Sequence, residues 1–558
     1  MSGAGLAADL LIVNGRVLTM DPAQPRAQAL AVAGERIVAV GRQEDIIALA
    51  RPGARVIDAQ GATVMPGLVE AHLHLFAGAF GLRLLQLDGV RGLPALRDKL
   101  RAYAAANPDE ALLIAKAADY NLFGDGVRTT RQMLDQVLAD RPVILIAGDH
   151  HTAWANTIAL ERAGLMGGRD LPPGNEIVMA EDGTAAGELR EHAAFDPVMA
   201  LRSSGGREGL GLAGVEPATP PSPAQRAEDI AVLGEGLKLC ASYGFTSLHN
   251  MDGNRYQLDL LAEIERRGDL LCRTEIPFHL TPEKPLSTLE EASALAREFD
   301  SDRLSAKRVK MFMDGVIDSS TAVMLDDYAD RPGWRGEPLH SAERFRAAAI
   351  EADRRGLQIA VHAIGDGAVR RVLDGYAAAR AANGPRDARH RIEHIEVLHP
   401  EDLPRFRELG VVASMQPPHP PGAMDFPLQP WVARVGEARW PWAFPVGYLR
   451  ATGVPIAFAS DWPVSDLDPM RGVKAAVLRQ PWKDGDPAHA STLLEALHGY
   501  TAGGAYAGHD DHRLGRLRAG LLADIVIMDR DLEATPPEDL DQARAALTFC
   551  GGALTWEA

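Results

Sequence analysis

The chain is 558 residues long, 46% hydrophobic, with a formal net charge of −18. That much apolar sequence supports a sizeable core and excludes a disordered chain, and the acidic surplus argues against nucleic acid or an anionic membrane as partner. Its three cysteines, Cys240, Cys272 and Cys550, lie far apart, form no CxxC pair or disulfide framework, and suit a reducing cytoplasm.

The opening residues, MSGAGLAADLLIVNG, carry no basic n-region and no long apolar run, so no signal peptide is expected. No stretch approaches the length of a transmembrane helix. The first part of the chain reads as short strands and turns. Asn14-Gly15, between the apolar runs of LLIVNGRVLTM, predicts a hairpin, and the pattern repeats around Gly34-Glu35. Near the other end, ADIVIMDRD and ALTFCGGALTW are also strand-like. Residues 1–64 and 505–558 are therefore expected to share one small β-sandwich domain, with residues 65–504 between them.

That middle region alternates short apolar runs with helical stretches such as SAERFRAAAIEADRRG, the pattern of a parallel α/β fold. Eight strand candidates follow in order: GLVEAHLHL (67–75), FTSLHN (245–250), CRTEIPFHL (272–280), RVKMFMDG (308–315), QIAVHAIGD (358–366), RIEHIEV (391–397), VVASMQPP (411–418) and PIAFASDWP (455–463). They predict a (β/α)8 TIM barrel. About 170 residues separate the first two strands, where a βα unit needs roughly 30. Residues 80–240 are read as an inserted subdomain that acts as a lid. The Gly/Ser/Pro-rich stretch 202–223 and the segment QPPHPPGAMDFPLQPW read as loops.

In VEAHLHLF, strand alternation places His72 and His74 on the same side. Other strand candidates end in residues suited to metal binding or acid–base work: Lys310, His362, His394 and Asp461. In a barrel those ends form the active-site mouth. Alternation in RVKMFMDG puts Lys310, Phe312 and Asp314 on one face. A lysine pointing into a barrel interior is costly unless neutralised. Carbamylation by CO2 would make it an anionic oxygen ligand able to bridge two cations. Taken singly, each histidine reads as hydrogen-bonded structure, Lys310 as a snorkelling lysine and Asp461 as a helix cap. All six at strand ends of one barrel point to a metal centre.

TVMPGLVEAHLH, VKMFMDG, VHAIGDGA, RIEHIEV and ASDWPV together resemble the amidohydrolase superfamily, and within it the amidohydrolase-3 group, which includes N-substituted formamide deformylases. LGRLRAGLLADIVIMDRD and HTAWANTIAL fit the same group, so the resemblance runs nearly the whole length. It implies that His72, His74 and Asp461 hold one buried metal, and that carbamylated Lys310 bridges to a second held by His362 and His394. Zn2+ is the expected ion, although nitrogen and oxygen ligands admit other divalent cations. The resemblance further implies attack of a metal-bound hydroxide on an amide carbonyl, with Asp461 as general base that passes the proton to the leaving amine.

The chain departs from the group's pattern in places. Glu70 stands where an Asp is usual, and VIDSSTA replaces a G-S-x-T-A stretch, leaving Asp318 as an extra charge near the mouth. AGDHH differs from the usual D-G-H, so His151 is matched rather than His150. His151, Trp154 and Asp318 are candidate substrate contacts, though Trp154 also reads as insert core. His419 reads as an exposed loop residue, and Trp431, Trp440 and Trp442 as an aromatic cluster.

The expected function is metal-dependent hydrolysis of non-peptide C–N bonds (amide, N-acyl or N-formyl) in small molecules. Alternatives are a deaminase of a heterocyclic amine, a hydrolase of esters or cyclic amides at the same site, and a non-catalytic scaffold. Lys310, and HAIGDGA where one-metal deaminases carry H-x-x-E, argue against deamination. Retention of all six positions argues against a scaffold. Homo-oligomerisation and the physiological substrate stay open.

Overall fold

In the computed structural model, which describes residues 7–87, 89–124, 126–147, 152–171, 175–424 and 426–558, the strands Leu68–Leu73, Phe245–Asn250, Gln358–Ala363 and Arg391–His394 are buried at every position. That is the pattern of parallel strands covered on both faces. The strands pair in chain order. Phe245–Asn250 lies parallel to Leu68–Leu73 on one side and Arg273–Glu275 on the other. Arg273–Glu275 pairs with Leu304–Ser305, and Phe278–His279 with Arg308–Phe312. The ladder continues through Gln358–Ala363, Arg391–His394, Val412–Met415 and Ile456–Phe458. A parallel bridge between Leu73 and Trp462 then brings the chain after the last strand beside the first.

CRTEIPFHL, expected as one strand, is split into Arg273–Glu275 and Phe278–His279. Pro277 has no N–H for the ladder, so pairing is interrupted there. The intervening helices follow their apolar spacing. In Ala342–Arg354, Phe345, Ala348, Ala349 and Ala352 form the buried stripe, and Ser341 Oγ caps the helix by accepting from the Arg344 N–H at 3.2 Å.

The two chain ends build two sheets. In one, Ala8–Val13 lies between Ala29–Ala33 and Ala50–Asp58. The other runs Ala553–Glu557, Ala545–Cys550, Ile525–Met528, Thr63–Pro66, Arg16–Leu18, Arg26–Ala27. Leu10, Ile12 and Leu30 from the first pack in one core with Val64, Ile525 and Phe549 from the second. Asn14-Gly15 does not close a hairpin as expected: Arg16–Leu18 pairs with Thr63–Pro66, in the other sheet from Ala8–Val13. Asn14 takes a left-handed φ of 53° and donates its backbone N–H to Gln43 Oε1 and Nδ2–H to Asp58 Oδ1. Gly15 passes so near Val64 that a Cβ would lie 2.8 Å from its side chain. These contacts swing the chain between sheets. Gly34-Glu35, by contrast, joins the antiparallel pair Ala29–Ala33 and Arg36–Gly41.

These elements belong to a unit comprising Met1–Gly78, Gly211–Thr219 and Ile230–Ala558; Ala79–Leu210 and Pro220–Asp229 form a second compact unit. The second unit has its own six-stranded sheet, ordered Glu176–Met179, Ala185–Arg190, Thr152–Ala155, Val143–Ala147, Leu113–Ala118, Leu85–Gln86. Leu96, Leu100, Leu113, Leu145 and Trp154 pack in its core. No helix among the described residues is long and apolar enough to cross a membrane.

Candidate metal centre

Glu70, His72 and His74 share one side of the run that begins at Leu68, by strand alternation. Two backbone bonds join this run to the last: His74 N–H donates to Trp462 O at 2.7 Å, and Asp461 N–H to His72 O at 2.8 Å. Asp461 sits in the left-handed region with φ 63°, sparsely populated for residues other than glycine. Its Oδ1 lies 3.2 Å from Nε2 of His72 and 3.2 Å from Nε2 of His74.

His394 follows Glu393 in its strand, and simple alternation would send the two to opposite faces. Instead His394 and Ile395 adopt φ of 76° and 52°. The broken alternation leaves the His394 ring centroid 4.9 Å from that of His72 and 4.5 Å from that of His362.

Arg391 and Glu393 are both fully buried. Arg391 donates through Nε and Nη2 to the two Glu393 oxygens at 2.8 and 2.9 Å, and His72 Nδ1 lies 2.8 Å from Glu393 Oε2. Burial opposes ionisation of Glu393, but the Arg391 charge outweighs it and holds the carboxyl well below the usual range. An ionised carboxylate only accepts, so His72 donates from Nδ1. With a cation in place of a second proton, His72 would present its Nε2 lone pair toward Asp461. Burial likewise works against the Asp461 charge, but His72 foremost outweighs it and the group stays ionised. Among the described residues, no hydrogen bond of regular geometry reaches Asp461 Oδ1. His74 Nδ1 also lacks a hydrogen bond and lies 3.9 Å from Asp252 Oδ1. Three electron-rich atoms thus converge where a cation would satisfy them all.

Among the described residues, two sets of donors are close enough to hold a cation, His72–His74–Asp461 and His394–His419–Asp461. Asp461 Oδ2 lies 4.0 Å from His394 Nδ1 and 3.9 Å from His419 Nε2. His419, expected to be exposed, is buried, with its ring parallel to that of His394 at 6.0 Å. A turn closed by His419 N–H on Gln416 O folds the Pro-rich segment inward. Burial pulls His419 down to about 4. Burial, then the charge of Lys310, pulls His362 down to about 3, so both imidazoles are neutral at neutral pH, the form that binds metal. His362 Nε2 donates to Gly315 O at 3.1 Å, and His394 Nδ1 to Gln416 Oε1 at 3.0 Å.

Lys310 is fully buried, with no hydrogen bond to Nζ among the described residues, and Nζ lies 4.7 Å from the Phe312 ring centroid. Burial pulls the ammonium down to about 8, against the opposing pull of Glu393 and Asp461. Asp314, on the same strand face, accepts the N–H groups of Val323, Ile364 and Gly365 and so anchors a loop. Glu70, raised to about 8 by burial, accepts from Ser460 N–H at 2.9 Å and His72 N–H at 3.3 Å, tying the last strand segment to the first.

Of the candidate substrate contacts, Asp318 is exposed in a turn whose carbonyl accepts from Arg434. Trp154 is 2% exposed in the core of the second unit, with its ring edge-on to Tyr120 at 5.3 Å. His151 lies outside the described residues. Sequence reasoning missed Arg391, Glu393, Asp252 and Gln416. For the first two a signal exists: RIEH places two charges two residues apart on one face of a buried strand.

Residues 55–555 match the Amidohydrolase family. The chain is 31% identical to Protein LONG AFTER FAR-RED 3 of Arabidopsis thaliana, over 98% of this chain and 92% of that one. It is 26% identical to N-substituted formamide deformylase of Arthrobacter pascens, over 98% of each. A metal-dependent hydrolase from Pyrococcus furiosus has a similar solved structure, with a TM-score of 0.74 and 26% identity over 93% of this chain and 98% of that one. The chain therefore belongs to the amidohydrolase family, and it is a metal-dependent hydrolase acting on carbon–nitrogen bonds.

Proposed function

We propose that this protein hydrolyses small non-peptide amides, N-formyl and N-acyl amines foremost, at a centre holding two zinc ions. The observation that carries the reading is the convergence of His72 Nε2, His74 Nε2 and Asp461 Oδ1 with, among the described residues, no hydrogen bond of regular geometry on that carboxylate oxygen. On this reading His72, His74 and Asp461 hold one ion, and His362 and His394 the other, with His419 beside it. Lys310 fits as the ligand between them. A buried amine without a partner, lowered to about 8, has an accessible neutral form that CO2 can carbamylate. In forming the carbamate the neutral amine would add to CO2 and release one N–H proton, exchanging a costly buried cation for an anion that bound cations would neutralise.

When bound, the ions polarise the scissile carbonyl and make water acidic. Asp461 takes the proton of the attacking water and returns it to the leaving nitrogen. Glu393 keeps His72 in the Nδ1–H tautomer throughout. Pairing of the strands in chain order, with the Leu73–Trp462 bridge, supports a closed (β/α)8 barrel whose strand ends carry the site. The core shared by the two terminal sheets supports a separate sandwich domain from residues 1–64 and 505–558. The similarity to a formamide deformylase supports N-formyl amines as one substrate class. Three free, buried thiols accord with a cytoplasmic location.

Elemental analysis of protein purified without chelator, in bicarbonate, is expected to give about two divalent ions per chain. With added zinc, N-benzylformamide and N-acetyl or N-aroyl amino acids should be hydrolysed. Turnover confined to aminopurines or hydantoins would overturn the acyclic-amide reading.

A further inference from the structure

Just past the helix Pro469–Val477 lies an arginine without a counter-ion. Arg479 is 8% exposed. Among the described residues no carboxylate, carbonyl or hydroxyl accepts from it, and its Nε is buried with no hydrogen bond. Burial alone acts on the guanidinium and pulls it down to about 10, which leaves it charged at neutral pH. Its contacts are aromatic: the guanidinium carbon lies 5.1 Å from the Trp482 ring centroid and 5.5 Å from that of Phe444. Cation–π contacts of this kind offset part of the desolvation. They leave the planar fork of N–H donors unused.

Arg479 lines a cavity of about 400 Å3, within the size range of small-ligand pockets. Much of the remaining wall is apolar, with Met424, Leu428, Leu478, Pro481 and Trp482. The other two cations on the wall already have partners, Lys474 with Asp541 and Arg471 with Asp466. None of the metal-centre residues lines it. A cavity with apolar walls and one unpaired guanidinium is complementary to a carboxylate on an apolar body. The two carboxylate oxygens match the fork, and a ring stacks on the indole.

We propose that this cavity is a second ligand site, separate from the metal centre, which binds a small aromatic or branched apolar carboxylate through Arg479. Pairing the guanidinium removes the penalty of an uncompensated buried charge, so anionic ligands are favoured over neutral ones of the same shape.

The test is calorimetric titration of the zinc-loaded full-length protein with benzoate, and with neutral benzamide as the matched control. Saturable benzoate binding is expected, with benzamide weaker by about tenfold or more. Arg479→Met keeps similar volume without the charge and should weaken benzoate by a similar factor. Arg479→Lys retains charge but loses the fork, and should fall between. It decides the matter if the Met variant fails to fold. The proposal is overturned if benzoate does not bind below about 10 mM, or if benzamide binds equally well. Benzoate affinity unchanged by Arg479→Lys or Arg479→Met also overturns it, since the carboxylate then sits elsewhere, the metal centre included.

Discussion

Replacing Lys310 by methionine should make the metal-free protein more stable while emptying its metal centre. Lysine ordinarily titrates near 10.5, and burial pulls Lys310 down to about 8. Each unit of such a shift corresponds to about 1.36 kcal/mol. At pH 7 the amine is mostly charged in both folded and unfolded chains, so the folded, metal-free protein carries a penalty of about 3 kcal/mol. The sign follows from proton affinity. The unfolded chain holds the proton more tightly, so stability rises as pH climbs from about 8 to 10.5, and the penalty is gone above that. Methionine has nearly the same length, fills the site and carries no charge. In chelator-treated, CO2-free buffer, Lys310→Met is therefore expected to exceed wild type by about 3 kcal/mol at pH 7, a difference that closes by about pH 10.5. Guanidinium unfolding followed by tryptophan fluorescence at several pH values measures it, with elemental analysis of untreated samples in parallel. A wild type as stable as the variant at pH 7 would refute the strained-ammonium account. A variant that retains full metal content would refute the bridging role.

Other substitutions test neighbouring parts of the site. Asp461→Asn should lower kcat by about 10²–10⁴ with the fold intact, and a rate within tenfold of wild type would remove Asp461 from proton transfer. Glu393→Gln leaves the buried Arg391 without a counter-charge, which should cost about 3–5 kcal/mol in denaturant unfolding. It should also weaken zinc about 10–100-fold in chelator competition, and unchanged zinc affinity would show that His72 needs no carboxylate behind it. Trp154→Ala should remove about 3–5 kcal/mol from the second unit, read as lost hydrogen-exchange protection in Val143–Ala147; undiminished protection would contradict its place in that core.

Period-two alternation made His72, His74 and Lys310 legible in the sequence, because His72 and Lys310 lie in regular strands and His74 directly follows one. It could not place His394 or Asp461. Both sit at left-handed backbone, where the alternation rule lapses, and they were picked out by their places at the ends of strand candidates and by the resemblance of RIEHIEV and ASDWPV to the family's motifs. His419 escaped for a different reason: proline-rich composition reads as exposed loop, while the inward turn at Gln416 depends on tertiary packing. Arg391 and Glu393 were visible as charges two residues apart in a buried strand, but the contact of Glu393 with His72 spans 321 residues and has no local signature. The Asn14-Gly15 turn shows the converse, a correct local bend given the wrong partner strand, because sheet membership is set by Thr63–Pro66 rather than by the turn itself.

The sheet that joins the chain ends also constrains how this protein can be made. Thr63–Pro66 lies between Arg16–Leu18 and Ile525–Met528, and the Leu532 N–H donates to Thr63 Oγ1 across 469 residues. At ribosomal speeds of about 5–20 residues per second, that partner emerges roughly 25–90 seconds after Thr63. Until then Val64 and Met65, fully buried in the finished protein, lie along an open strand edge, available to any other chain or to a chaperone. Translation halted between Asp461 and Ile525 releases a polypeptide with every metal-ligand candidate already synthesised and this edge still uncovered. The final stretch of synthesis therefore completes the sheet that shields the first.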